Sequence, residues 1–322
     1  MSSLLRKFNI DPNSIGRLEV GTESPFDKAK SVKSVLTTLF EPHGNTSLEG
    51  IDTIHACYGG TSALFNAVNW VESRSWDGRD AIVVMSDIAL YKETPSRPTG
   101  GAGCVAMLVG PNALLSLEPT LRGVYMTHTY DFYKPDASVE FPIVNGHESI
   151  VCYLGALDGC HNDLLRRTEA ARGKLNGDGP KSVTKVLDLF DYMAFHTPNC
   201  KLVSKSYGRL MYNDCLRSAD DADWEGIPDE LRKLGYQESL KDKALEKTLV
   251  ALSKELFKER VEPCIAAPSL CGNMYTASLY CSLISLISNI DLATAEGKTI
   301  GMFSVSDYII VHQNQFSVER PF

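Results

Sequence analysis

No apolar run reaches the roughly 18 residues that a membrane-spanning helix needs, so nothing in the chain reads as crossing a bilayer. The opening stretch MSSLLRKFNIDPNS has neither the apolar core nor the small-residue cleavage site of a secretory signal, and the chain reads as cytosolic. Positive charge is in short supply. Lys and Arg number 32 against 40 Asp and Glu, a net charge of -8, which argues against a nucleic-acid or anionic-membrane surface but leaves room for a local basic pocket. The nine cysteines (57, 104, 152, 160, 200, 215, 264, 271, 281) are odd in number and include no C-x-x-C pair. Neither a disulfide framework nor a zinc site is therefore expected, and most of them should behave as small buried apolar residues.

What is present is an ordinary globular composition, 43% hydrophobic and 22% charged over 322 residues, enough for one large domain or two similar halves. IGRLEVGT (15 to 22) reads as a strand, and DKAKSVKSVLTTLF (27 to 40) as a helix with Val32, Val35, Leu36 and Leu39 on one face. GIDTIHACYG (50 to 59) reads as a second strand ending at Cys57, with a helix following to about Glu72. DAIVVMSDIALY (80 to 91) and GAGCVAMLVG (101 to 110) look like strands buried on both faces. Further on, 148 to 173, 182 to 195 and 201 to 216 read as helices, 217 to 246 as a solvated polar excursion, 272 to 290 as a long apolar helix and 298 to 305 as a strand. Strands alternating with helices predict an α/β fold around a parallel or mixed sheet.

Three residues stand out. Cys57 sits at a strand-to-helix elbow before Gly59 and Gly60, where a helix N-terminus favours a thiolate. His196, in MAFHTPNCKLVSKS, falls at an element boundary, with Lys201 and Lys205 one helical turn apart after it, a pattern suited to an anionic ligand and a polarised carbonyl. Glu23 lies just past a strand end, where a carboxylate can enter a cleft as acid or base. Taken singly, each has a plainer reading: an inert buried cysteine, a capping or core histidine beside solvated lysines, a glutamate favoured by a helix dipole. The residues by themselves leave that choice open.

Together, GRLEVGTE, ACYGGT, FNAVNW, SWDGR, RPTGGAG, YDFYKP, FHTPNCKLV and GNMYTAS, ordered over nearly everything from Ile15 to Ser304, resemble the eukaryotic hydroxymethylglutaryl-coenzyme A synthases. The resemblance implies a thiolase-like α/β fold, layered α-β-α-β-α in two similar halves, here 1–135 with the nucleophile and 136–304 with the histidine, followed by a divergent tail, 305–322. It implies a condensation of acetyl-CoA with acetoacetyl-CoA and water to 3-hydroxy-3-methylglutaryl-CoA and CoA in the mevalonate route to isoprenoids and sterols. No metal or organic cofactor is needed, and a cytosolic homodimer is expected. Cys57 would carry the acetyl group, Glu23 would be the general acid/base and His196 would bind and polarise acetoacetyl-CoA. Lys201 and Lys205 would hold CoA, with Thr99, Ser149 and Asn273 as ligand contacts and Asp87 and Asp131 as supporting acids. FHTPNCK and GNMYTAS are particular to the synthases and disfavour another acyl-CoA enzyme of the same fold.

The sequence also departs from the family. Relatives begin several tens of residues earlier, so an N-terminal strand and helix are expected to be missing. Where they read FSxGSG, this chain reads FSVSDYIIVHQNQFSVERPF. Val305-Ser306 can be encoded by a splice-donor sequence, which predicts a tail translated from intron. KETPS, with Pro95, replaces the usual glycine-asparagine contact. Losing a strand and a closing hairpin would expose sheet edges, giving an unstable, weakly active chain or a non-catalytic product.

Overall fold

The computed structural model describes residues 1–92, 95–136, 138–173, 185–218, 220–291, 295–306 and 308–316. These form two compact units, one of Met1–Ala113 with Cys271–Cys281, the other of Leu114–Leu270 with the chain from Ser282 onward.

The first unit opens with α1 (Ser2–Lys7), β1 (Ile15–Gly21) and α2 (Val32–Leu36). β2 (Asp52–Thr53), α3 (Gly59–Val71), β3 (Asp80–Ala89) and β4 (Gly101–Val109) follow. Its sheet runs β2-β1-β3-β4, with β1 parallel to both neighbours and β4 antiparallel to β3. β1 and β3 are buried along almost their whole length, as their continuous apolar sequences require of central strands. Ile15, Leu18, Val20, Phe40, Ile82 and Val84 make one core cluster. α3 buries Gly59, Gly60, Ala63 and Ala67, small residues that let it approach the sheet closely. A Cβ on Gly21 would stand 2.4 Å from the Gly60 Cα, so β1 and α3 touch through backbone alone.

Three expectations change here. β4, read as buried on both faces, is an edge strand that buries only Val105. The strand read as ending at Cys57 is only Asp52–Thr53, because Ala56 turns into the left-handed region (φ 41°) and breaks the ladder. The helix read over 27 to 40 shrinks to α2. Ser31 caps it, and the Asp52 carboxylate accepts from the Val32 and Lys33 amides at 2.5 and 2.9 Å.

The second unit holds β5 (Leu115–Met126), β6 (Phe132–Tyr133), β7 (Ile143–Val144), the long α4 (Gly146–Gly173), β8 (Tyr192–Phe195) and α5 (Cys200–Arg217). Short helices α6 (Asp229–Arg232) and α7 (Tyr236–Ser239) precede α8 (Lys243–Leu252), α9 (Lys254–Arg260), α10 (Glu262–Ile265) and α11 (Pro268–Cys271). The chain closes with α12 (Ser278–Asn289), β9 (Thr299–Ser306) and β10 (Tyr308–Phe316). The sheet order is β5-β10-β9-β8. Its core gathers Leu157, Leu164, Met193, Phe195, Val203, Tyr207 and Phe303.

Residues 182 to 184 and Glu93–Thr94 lie outside the described residues. Of the helix read over 182 to 195, the remainder is a single 3-10 turn at Leu187–Leu189 and the strand β8, whose four residues pair with β9. The polar stretch 217 to 246 is folded rather than solvated: Ile227, Leu240 and Leu245 are buried, and Asp242 caps α8. The tail supplies β10, antiparallel to both β9 and β5, where the sequence reading had left a sheet edge exposed. Its Tyr-Ile-Ile-Val run is strongly strand-forming. Among the described residues no helix is long and apolar enough to cross a membrane.

Gly21→Ala should force β1 and α3 apart, because both atoms in conflict belong to backbone. We expect a loss of about 1–3 kcal/mol, read as a lower denaturant midpoint with unchanged slope; an unchanged midpoint would contradict the close approach.

Candidate active site

The end of β3 places Asp87, 3% exposed, beneath the loop that leaves β1. Its Oδ1 accepts hydrogen bonds from Thr22 Oγ1 (2.9 Å), the Glu23 amide (2.8 Å), the Ser24 amide (3.1 Å) and Ser24 Oγ (2.6 Å). Its Oδ2 accepts from the Thr276 amide at 3.1 Å and from the Thr276 hydroxyl. Glu23 is thus held by its own backbone, and its carboxylate Oε1 accepts a hydrogen bond from the Cys57 Sγ at 3.2 Å. Cys57 stands between Ala56 and the start of α3, with Gly59 N–H bonded to Ala56 O at 3.0 Å.

The thiolate expected at this elbow is not the favoured form. Burial first, then the charge of Glu23 and its hydrogen bond, and then Asp87, push the Cys57 thiol well above its ordinary value. A helix end contributes at most a kcal/mol or two against this, so desolvation and two carboxylates prevail. The resting pair is a thiol donating to a carboxylate.

Beside it lies a second cluster. Asn273, 3% exposed, donates from Nδ2 to Tyr91 OH at 2.9 Å, and its Oδ1 accepts from the Tyr275 amide at 3.0 Å. The Asn273 amide in turn donates to Thr99 O at 2.8 Å, and Thr99 Oγ1 donates to Ser96 O at 2.7 Å. Burial pushes the Tyr91 phenol up to about 12, and the charges of Cys57 and Glu23 act in the same direction. Tyr275, with φ 43°, is likewise raised by burial and by Tyr91 and Glu23. Tyr91, Tyr275 and Thr276 were not singled out from the sequence. Tyr91 ended an apolar run and the other two lay inside GNMYTAS, so the signal was in blocks already noted.

The remaining candidates belong to the second unit. His196 follows β8, its amide donating to Phe303 O (2.7 Å) and its carbonyl accepting from Tyr153 OH (2.9 Å). The ring is buried, Nδ1 has no partner, and burial holds the imidazole down at about 3, hence neutral. Asn199 caps α5 by accepting from the Leu202 amide at 2.9 Å, which orients the helix carrying Lys201 and Lys205. Lys201 is exposed, whereas Lys205 pairs with Glu246 at 2.9 Å. Ser149 lies in the first turn of α4, and Asp131 Oδ1 accepts from Thr129 Oγ1 at 2.7 Å. Among the described residues no group of three or more His, Cys, Asp or Glu could hold a metal ion.

The N-terminal family model of hydroxymethylglutaryl-coenzyme A synthase matches residues 1–114 and the C-terminal model residues 115–308. The chain belongs to the hydroxymethylglutaryl-coenzyme A synthase family. It is 86% identical over 304 residues to a hydroxymethylglutaryl coenzyme A synthase of Fusarium sp, covering 94% of this chain and 67% of that protein. The Schizosaccharomyces pombe synthase is 52% identical over 304 residues, covering 94% of this chain and 66% of that one. A solved structure described as MvaS in complex with 3-hydroxy-3-methylglutaryl coenzyme A matches with a TM-score of 0.79 at 32% identity, covering 98% of this chain and 70% of that one. PksG, an HMG-CoA synthase from Bacillus subtilis, shares the fold with a TM-score of 0.72 at 22% identity, over 98% of this chain and 67% of that one. The fold is thiolase-like, and the family's enzymes are condensing acyltransferases.

Two outcomes follow from the electrostatics. Removing the carboxylate in Glu23→Gln takes away two of the influences that raise the Cys57 thiol, so its pKa falls and its alkylation by iodoacetamide at pH 8 should quicken by roughly tenfold, one pKa unit's worth. Equal rates would contradict the coupling. His196 titrates at about 3 when folded and near its ordinary 6.5 when unfolded, so the unfolded chain binds the extra proton between those values. Stability present above pH 6.5 is lost as pH falls toward 3, and His196→Asn should flatten that decline by on the order of a few kcal/mol in pH-dependent denaturation.

Proposed function

We propose that the chain is a hydroxymethylglutaryl-CoA synthase in which Cys57 accepts the acetyl group of acetyl-CoA and Glu23 moves the protons. The observation that carries this reading is the hydrogen bond of 3.2 Å from Cys57 Sγ to Glu23 Oε1. A thiol raised by burial is a poor nucleophile unless a base takes its proton as the sulfur attacks, and the carboxylate it already touches is that base. The S–C bond forms, the thioester of acetyl-CoA breaks, and the CoA thiolate leaves with a proton. Glu23, ionised again, removes a proton from the acetyl methyl, and the resulting carbon nucleophile adds to the ketone of acetoacetyl-CoA. Water then cleaves the Cys57 thioester to give 3-hydroxy-3-methylglutaryl-CoA and the free thiol.

A neutral His196 is suited to donating a hydrogen bond to the acetoacetyl ketone, where an imidazolium would bring buried charge. Lys201 and Lys205 supply positive charge for the phosphates of CoA, the latter by exchanging Glu246 for ligand. Thr99, Ser149 and Asn273 are ligand contacts, Asp87 holds Glu23, and Asp131 is a supporting acid. The 32% identical relative whose solved structure holds 3-hydroxy-3-methylglutaryl coenzyme A supports the product class. On family resemblance the enzyme works in the cytosol as a homodimer, halves 1–135 and 136–304 each supplying part of the machinery.

Incubation with labelled acetyl-CoA should leave one label on Cys57. Cys57→Ala should abolish both label and condensation, a loss of about 10³-fold or more. His196→Ala should spare acetylation while raising the KM for acetoacetyl-CoA and lowering turnover. An absence of acetyl-enzyme in a monodisperse sample would sink the reading, and intact condensation in His196→Ala would remove the role given to that residue.

A further inference from the structure

β1 carries an acidic residue, Glu19, four positions before Glu23. The Glu19 side chain is fully buried, its Oε1 accepting from Arg17 Nε at 2.7 Å and its Oε2 from Asn66 Nδ2 at 3.2 Å. Asn66 belongs to α3, the helix that starts two residues after Cys57, and its Nδ2 also lies 3.4 Å from Thr53 Oγ1 at the end of β2. Arg17 reaches Glu49 at 3.4 Å and stacks over Trp70 of α3 at 5.8 Å. Burial raises the Glu19 carboxyl, with Asn66, Arg17 and Lys33 opposing it.

A carboxylate sunk between strand and helix is a costly way to glue two apolar faces, and a hydrophobic residue of the same volume commonly does as well or better. What it adds is register. Besides Thr61, which accepts from Tyr280 OH at 3.0 Å, the buried face of α3 is Gly, Ala, Phe and Trp, and its Gly60 lies flat on Gly21, so against β1 itself no side chain of that glycine pair fixes the register. Glu19 with Asn66 and Arg17 over Trp70 tie β1 to α3, and Glu23 with Cys57 joins the loop leaving β1 to the turn entering α3.

We propose that the Glu19–Asn66 pair is a register pin that sets how far α3 lies along β1, and thereby holds the Cys57 thiol against Glu23. Both are positioning residues acting through Cys57 and Glu23. The catalytic consequence rests on the acetyl-transfer reading above, but the geometry is tested without any acyl-CoA.

The test is the pH profile of iodoacetamide alkylation at the Cys57 peptide, followed by mass spectrometry in the full chain. The groups bearing on that thiol are Glu23, Asp87, Tyr91 and Tyr275. Asn66 is only half-buried, so Asn66→Ala leaves no closed cavity. It should move the apparent pKa of Cys57 down by about one unit, toward its ordinary value. Ala67→Gly, at the fully buried neighbouring position, weakens the same helix without touching the pin and should leave the profile in place at a comparable loss of Tm. Glu19→Gln, which keeps an acceptor for Asn66, should retain the profile, and Glu19→Leu should lose it. In a Glu23→Gln background Asn66→Ala should have no further effect, since the pin acts through that carboxylate. A profile moved equally by Ala67→Gly, or unmoved by Asn66→Ala, or moved by Asn66→Ala with Glu23 already neutral, overturns the proposal.

Discussion

The Asp87 carboxylate holds the first unit's chemistry in place. It is nearly inaccessible to water, yet it accepts hydrogen bonds from Thr22, Glu23, Ser24 and Thr276. Removing one partner of a buried charge typically costs 3–5 kcal/mol, whereas a fully satisfied one is rigid. These donors come from the exit of β1 and from Thr276, 189 residues beyond Asp87 in the chain. One side chain on β3 therefore fixes the backbone of Glu23 and gathers Thr276, and with it Asn273 and Tyr91.

From that anchoring follows the state of the Cys57 thiol. A helix N-terminus is worth about 0.3–1 kcal/mol to an anion at an exposed site, less than one pKa unit at 1.36 kcal/mol each. Burial and a carboxylate at 3.2 Å act the other way and are larger. The thiol keeps its proton, and the proton already points at its acceptor. In the proposed reaction such a pair keeps its proton until bound substrate lets it move as the sulfur attacks. His196 follows the same economy of charge: burial keeps it neutral, so it can donate without adding a cation to a dry environment.

Much of this was legible in the sequence where a residue type has one local use. The paired glycines after Cys57 and the apolar run of β3 each dictate their own structure. Where the outcome depends on distant partners, local pattern failed. β8 is four apolar residues, too few for a period to separate strand from helix, and only its pairing with β9 decides. The stretch from 217 to 246 looks solvated because its short helices each offer one or two apolar anchors, Ile227, Leu240 and Leu245 among them. The Cys57 thiol was misjudged for a related reason. Its proton is governed by Asp87 and by Glu23, 30 and 34 positions away, and by burial that no local motif records.

The contact of thiol and carboxylate is finally a matter of backbone thickness. At Gly21 an added Cβ would meet the α3 backbone at 2.4 Å, at Gly59 it would meet Thr53 O of β2 at 2.8 Å, and at Gly60 it would meet Thr276 O at 2.7 Å. A real Cβ contact needs about 3.5 Å or more, so a methyl at Gly21 displaces helix from strand by roughly 1 Å. The same 1 Å added to an S–H···O distance of 3.2 Å takes it out of hydrogen-bonding range. Close packing alone, however, fixes only separation and leaves sliding along the strand unopposed. A directional contact must supply the second coordinate, and a buried carboxylate facing a helix amide does so at a cost in solvation that an apolar pair would avoid. The glycines and the polar pair are two halves of one constraint on where the sulfur stands.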